Sequence, residues 1–280
     1  MFNLPQDRGM GSRSIQPYFV LSTASAYAKK VLIDSPISHF YSFVADKSGG
    51  QAFAVPDGCV DVLFLCDETE PKGRVCGSTV TAKLVELQTN KRYFGVRFRP
   101  GCIPDFIPMG ARDLVGAEVA LQDLDPQGST LMSQITEAAC FNAQVGYFMQ
   151  QYGTRLARPH SPLCTQVSEL ILAHHGDIRI HELAAYTGYS ARYINKSFGA
   201  QFGLSPKMYC LIIRFQYTLQ KLTALHGVSL TNLALEQGYA DQSHFLREFK
   251  KFAAIAPTQF IRALVHHQYQ DRIDVSEYSR

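Results

Sequence analysis

The chain has 280 residues, of which 46% are apolar and 18% charged, enough apolar side chain for packed cores, which excludes global disorder. The formal charge of +3 is unevenly placed: residues 1–159 carry 15 basic and 15 acidic side chains, residues 160–280 carry 12 and 9. All of the basic excess therefore lies in the second half, where it suits a surface that faces phosphate.

Residues 1–30 show no basic start followed by an apolar core and a small-residue cleavage site, so no secretory leader is read there. No apolar run reaches the ~18–20 residues that cross a bilayer. Seven cysteines at irregular spacing, with no Cys-x-x-Cys pair, read as reduced thiols rather than a disulfide framework. A cytoplasmic protein without membrane contact is expected.

Along the chain, residues 60–66 (VDVLFLC) and 93–98 (YFGVRF) are short apolar runs bounded by Pro56-Asp57-Gly58 and Arg99-Pro100-Gly101. They predict strands, with a further strand over 84–87. Residues 131–152 have helical spacing and are expected to close a β-rich, barrel-like domain spanning 1–152. Their apolar stripe suits a core or a dimer seam equally. Residues 153–161, polar and basic and flanked by proline, read as a linker. From 162 to 267 the pattern is helix after helix, over 162–175, 180–187, 190–202, 206–223, 230–237, 241–252 and 257–266. Gly188, Gly203, Gly227 and Gly238 stand at the breaks. The polar tail 268–280 is expected to fray. The fold class is α+β, β-rich then all-α.

The helical part is duplicated. Leu183-Ala184 and Gly188-Tyr189 recur as Leu233-Ala234 and Gly238-Tyr239. One residue further out of step, Lys196, Phe198, Pro206 and Tyr209 match Arg247, Phe249, Pro257 and Phe260. Each copy reads as short helix, Gly-Tyr turn, longer helix, which is the helix-turn-helix plan. In the first copy Ala191, Ile194 and Phe198 make the inward stripe, and Arg192, Asn195 and Lys196 the free face, with Gly199 continuing that row. In the second, Phe245, Phe249 and Phe252 turn inward, and Gln242, Ser243, Arg247 and Lys250 stay free. Those polar side chains have the donor and acceptor geometry that reads base edges. A single amphipathic helix is commonplace; two copies with matching turns and matching polar faces point to DNA.

The second copy, from Gly238-Tyr239-Ala240-Asp241-Gln242-Ser243-His244-Phe245 to Arg247-Glu248-Phe249-Lys250-Lys251-Phe252, resembles the AraC/XylS family of transcription regulators. So do the first copy through Gly203-Leu204-Ser205-Pro206 and the joining stretch with Arg214-Phe215-Gln216 and Leu219. The resemblance covers about residues 162–265. It departs at Ala254-Ile255-Ala256-Pro257, where glycine is usual, and at Leu246. It implies two recognition helices per monomer joined by a rigid helix over 206–223, entering successive major grooves about 34 Å apart. By matching motif positions, Arg192, Asn195, Lys196, Gln242, Ser243 and Arg247 contact bases or backbone, and His244 contacts phosphate or packs. It further implies double-stranded DNA and RNA polymerase as partners, a homodimer, and a first domain that senses a small-molecule effector.

For that effector the first domain offers Arg97 and Arg99, which alternate on a strand and share a face, and Cys59; a salt bridge or a solvated strand face would explain the arginines equally. Asp57 and Asp61 read as turn caps facing solvent. Cys59, Cys66 and Cys76 suit metal or oxidant sensing, or burial as inert thiols. His39 is the single histidine before residue 160 and no triad context exists, so neither a catalytic centre, a metal site nor a cofactor is expected. The alternatives are an alkyl-transfer DNA repair protein, which lacks its zinc-spaced cysteines here, and a cytosolic enzyme fused to a helical interaction module.

Overall fold

The computed structural model describes residues 14–46, 51–224 and 229–277; Gly227 and residues 278–280 of the tail lie outside them. The first half contains α1 (Pro17–Leu21), β1 (Tyr27–Val31), β2 (Ile37–Val44), β3 (Ala52–Ala54), β4 (Asp61–Cys66), β5 (Lys72–Cys76), β6 (Lys83–Val85), β7 (Arg92–Phe98), α2 (Ala111–Leu114), β8 (Glu118–Ala120), α3 (Leu121–Leu124), α4 (Gly128–Glu137) and α5 (Phe141–Tyr152). The helical half contains α6 (Pro162–Ala173), α7 (Ile180–Thr187), α8 (Ala191–Phe202), α9 (Pro206–Ala224), α10 (Leu230–Glu236), α11 (Gln242–Ala253) and α12 (Pro257–His266), followed by β9 (Ile273–Glu277). The expected order, β-rich then all-α, holds.

Seven strands form one sheet in the order β8-β5-β4-β7-β2-β1-β9, and β3 pairs with β6 in a separate ribbon. Side chains alternate across a strand, and here both faces are covered. Phe40, Val62, Phe64, Phe94, Val96 and Phe98 pack with Leu131, Ile135, Val145 and Phe148 of α4 and α5. Tyr41, Phe43, Leu63, Leu65 and Tyr93 belong to a second core shared with α1 and with Phe215, Phe249, Phe252 and Phe260 of the helical half. Burial on both sides explains why the β4 sequence reads as a continuous apolar run rather than an alternating one. Tyr41 lies opposite Gly95 on β7, and a Cβ at Gly95 would sit 2.0 Å from the Tyr41 ring. The bare backbone there is what lets the ring lie across the neighbouring strand.

Several expectations are corrected. Residues 131–152 are two helices, not one. Ala138 and Cys140 are extended, and the break lets α4 and α5 pack on each other and on the sheet. Their apolar stripe is used up in that core, so it is not a dimer seam. Asp57 and Asp61 do not face solvent: Asp57 is buried, and Asp61 meets the buried Arg97 in a bidentate ion pair.

Residues 153–161 lie along the first half. Arg158 N–H donates to the Ile103 carbonyl at 2.9 Å, and its guanidinium to that of Met109. The His160 ring stacks on Phe202 with centroids 4.4 Å apart. Over its described residues, 268–277, the tail does not fray: β9 adds to β1 as a parallel strand over five residues. Tyr269 is buried, and Arg272 donates to the Leu21 and Thr23 carbonyls.

Candidate nucleic-acid interface

Each helical repeat builds a short helix, a left-handed turn and a capped second helix. In the first, α7 ends at Gly188 with φ +74°. The Ser190 hydroxyl then accepts from Tyr193 N–H at 3.3 Å and starts α8. In the second, Gly238 turns at φ +72°, and the Asp241 carboxylate accepts from His244 N–H at 2.7 Å to start α11. Both caps satisfy backbone donors that a helix start leaves open. Ile194 and Phe198 on α8, and Phe245, Phe249 and Phe252 on α11, are buried, so each longer helix is anchored by one face and shows the other.

The shown faces are polar and basic. Arg192, Asn195 and Lys196 are exposed on α8, and Gln242, Ser243, Arg247 and Lys250 on α11. Arg192, Lys196, Arg247 and Lys250 have no ion pair within 4 Å among the described residues. Asn195 donates back to the Ala191 carbonyl at 2.8 Å, and Arg247 to that of Ser243 at 3.3 Å; Gln242 accepts from Thr231 Oγ1 at 3.1 Å. His244 stands apart. Its Nε2 is 3.7 Å from Glu248, and its ring meets Tyr239 edge-on, so it is partly engaged inside its own unit.

Gly199 does not continue the free row of α8. It is buried, and its carbonyl accepts from Arg112 at 3.3 Å where α2 packs on α8. Leu246 is half-buried against the second core.

The joining helix α9 is buried over much of its length. At 19 residues it is about 28 Å long. Arg214 fastens the second unit to it. The guanidinium meets both carboxylate oxygens of Glu248 at 3.0 and 2.9 Å, reaches the Gly238 carbonyl at 3.3 Å and lies 4.3 Å over the Tyr239 ring. Nη2 is shared between the two carboxylate oxygens while Nη1 takes the carbonyl, so the guanidinium is held at two points by charge-assisted hydrogen bonds. The Tyr239 phenol, buried there, is pushed well above its ordinary pKa and stays protonated.

Sequence reasoning passed over Tyr189 and Tyr193. Both are about half exposed, and their rings stack 5.4 Å apart beside Arg192. The signal was available: Tyr193 lies in the first turn of α8, where a recognition helix meets base edges. Its counterpart His244 turns inward.

Residues 183–263, which span both units, match a family described as a helix-turn-helix domain. A probable AraC family transcriptional regulator from Rhodopseudomonas palustris is 30% identical, over 36% of this chain and 96% of that one, with a TM-score of 0.34. The chain belongs to the AraC/XylS family of transcription regulators. Its residues 183–263 are a helix-turn-helix domain of the AraC type.

The Gly-Tyr turns and the Pro-started helices fall at repeat positions of the two units. Ala254 is an exception in sequence and not in conformation. It caps α11 at φ +65° where Gly203 caps α8 at φ +74°. Residues 32–120 match a second family, described as a domain of unknown function (DUF6597). An uncharacterized HTH-type transcriptional regulator from Staphylococcus aureus strain MRSA252 is 25% identical over 138 residues, 46% of this chain. The chain spans 18% of that relative's length. ToxT from Vibrio cholerae is 12% identical over 86% of this chain and 95% of its own, with a TM-score of 0.44. Among the described residues no helix is long and apolar enough to cross a membrane.

The effector candidates separate. Arg97 is buried against Asp61 and Asp57. Burial works against its charge, and the two carboxylates more than restore it. Arg99 instead donates to the Ser35 and Leu32 carbonyls, so the two arginines do not make a joint anion site. Cys59 is buried, its Sγ 2.9 Å from Ser14 Oγ, with its thiol pKa raised by burial. It lines a cavity with Tyr41 and Asp57.

Proposed function

We propose that α8 and α11 enter successive major grooves on one face of duplex DNA. Arg192, Asn195 and Lys196 would make the first set of contacts, and Gln242, Ser243, Arg247 and Lys250 the second, with His244 at a phosphate. Tyr193 joins the first set. One observation carries this reading: a single buried helix, α9, holds two units that each bury an apolar stripe and leave an exposed basic one. In this reading residues 1–152 sense a small-molecule effector, the protein acts as a homodimer, and RNA polymerase is its second protein-level partner.

The experiment is a genomic pull-down with the purified protein, followed by mobility-shift titration of the recovered fragments against salt. If Arg192, Lys196, Arg247 and Lys250 each neutralise one phosphate, log K falls against log salt with a slope of about −3.6 per protomer. Binding that ignores salt, or no fragment retained at low salt, overturns the reading.

A further inference from the structure

A cavity of about 60 Å³ lies against the sheet face that carries Tyr41, Asp61 and Leu63, closed on one side by Gln16, which precedes α1, and Phe19 within it. A single water needs roughly 10–15 Å³ by this measure, so the space suits on the order of four to six heavy atoms. Phe19, Val55 and Leu63 supply apolar wall. The charges around it cancel only as a set. Asp57 and Asp61 share Arg97, which leaves one negative charge, and Arg74 and Lys83 share Glu118, which leaves one positive charge on the half-exposed side. An ion of either sign would lose its water and add a net charge to a neutral set, whereas an uncharged molecule would not. One wall group is unmatched: the Tyr41 hydroxyl is fully buried and has no hydrogen-bond partner among the described residues, as is true of the adjacent Arg97 Nη1. Burial holds the Tyr41 phenol protonated, so it can donate.

The wall is wired to the joining helix. The Gln16 amide donates to the Val55 carbonyl at 2.7 Å and to Asp57 at 2.9 Å, and accepts from Val55 N–H at 2.8 Å. Next to it, Ile15 N–H donates to Gln216 Oε1 on α9 at 2.8 Å, and Gln216 Nε2 donates to the Pro56 carbonyl at 2.8 Å. Gln216 thus clips the two chain segments that border the cavity to the helix that spaces the two DNA-binding units.

We infer that this cavity binds an uncharged molecule of about four to six heavy atoms that offers an acceptor oxygen to Tyr41 Oη, and that Gln216 transmits its occupancy to α9. The inference rests on the regulator reading above and gives its effector a chemical class and a route.

The full chain is melted with acetone, 1,2-propanediol or γ-butyrolactone, with acetate and propylammonium as charged comparators, and DNA affinity is titrated under the same conditions. At least one neutral probe raises the melting temperature with dose and changes the DNA Kd about fivefold or more. Tyr41→Phe melts no lower without probe and loses the response. Gln216→Met keeps the thermal response and loses the change in Kd. Should Gln216→Met fail to fold, Gln216→Leu removes both hydrogen bonds with a smaller side chain and is read the same way. No shift with any neutral probe, equal shifts with the ions, or a response surviving in Tyr41→Phe overturns the site; a Kd response surviving the Gln216 variants overturns the route. Absence of any DNA binding by the wild type would instead sink the regulator reading, while the thermal arm still reports on the cavity.

Discussion

Replacing Asp61 with Asn removes one charge of a buried pair and leaves Arg97, 1% exposed, with Asp57 as its remaining carboxylate, 3.6 Å from Nε. Breaking a buried pair from one side costs about 3–5 kcal/mol, because the surviving charge stays out of water. The distant Asp57 offsets part of that, which places the loss near ~3 kcal/mol. At roughly 2–4 °C per kcal/mol, the melting temperature falls by about 6–12 °C. Replacing both partners, Asp61→Leu with Arg97→Met, removes both charges from the apolar interior. Asp57 then keeps its bonds from Cys59 N–H and Gln16 at 2.9 Å each, and the double variant loses no more than about 1–2 kcal/mol. Urea unfolding of the wild type, both single variants and the double gives the cycle, with an expected coupling of about 2 kcal/mol or more. If Asp61→Asn costs under about 1 kcal/mol, or if the double variant loses the sum of the singles, the pair is not the buried, mutually dependent unit described here.

The other expectations follow from single contacts. Ala254→Gly relieves a left-handed alanine at the α11 cap; the strain of about 1–2 kcal/mol less the added unfolded-state entropy gives a net gain of up to ~1 kcal/mol, read as a higher denaturant midpoint. Arg192→Ala and Arg247→Ala each lose about 1–3 kcal/mol of discrimination at one base pair if they read bases, whereas uniform weakening across sequences in a binding-site selection assigns them to phosphate. Tyr269→Ala opens the core beneath β9 and costs roughly 3 kcal/mol, and hydrogen exchange of the β1 amides speeds up with it. Burial holds the His160 pKa below its ordinary 6.5, so the neutral ring belongs to the folded state. Its contribution is present above about pH 6.5 and is lost as pH falls below that; melting from pH 8 to 5 should show a steeper decline in the wild type than in His160→Phe.

The helical half was legible because its structure is locally encoded. Apolar spacing, Ser190 and Asp241 as caps, and the glycine turns all lie within a few residues of the elements they specify, and the predicted 180–187 and 257–266 match α7 and α12 to the residue. The first half was harder. β4 and β7 stood out as apolar runs, but β1, with Lys29 and Lys30 at its centre, carries no such signal and exists through its pairing with β2 and β9. The same non-local logic hid Asp57 and Asp61: their neighbours in sequence suggest a turn, and only folding brings Arg97 beside them. Gly199 looked free because helical spacing puts it on the Lys196 side; α2, 80-odd residues earlier in the chain, covers it. Arg214 was noticed as part of a motif, but its grip on Glu248 needed coordinates.

The parallel pairing of β9 with β1 bears on how the protein is made. Translation runs from the first strand to the last, so the outer rim of β1 faces water with its amide and carbonyl row unmatched until residues 273–277 have left the ribosome. A nascent chain halted anywhere in the helical half therefore presents an open strand, the kind of rim on which chains stick to one another. Completion of the amino-terminal sheet thereby waits for completion of the helical half.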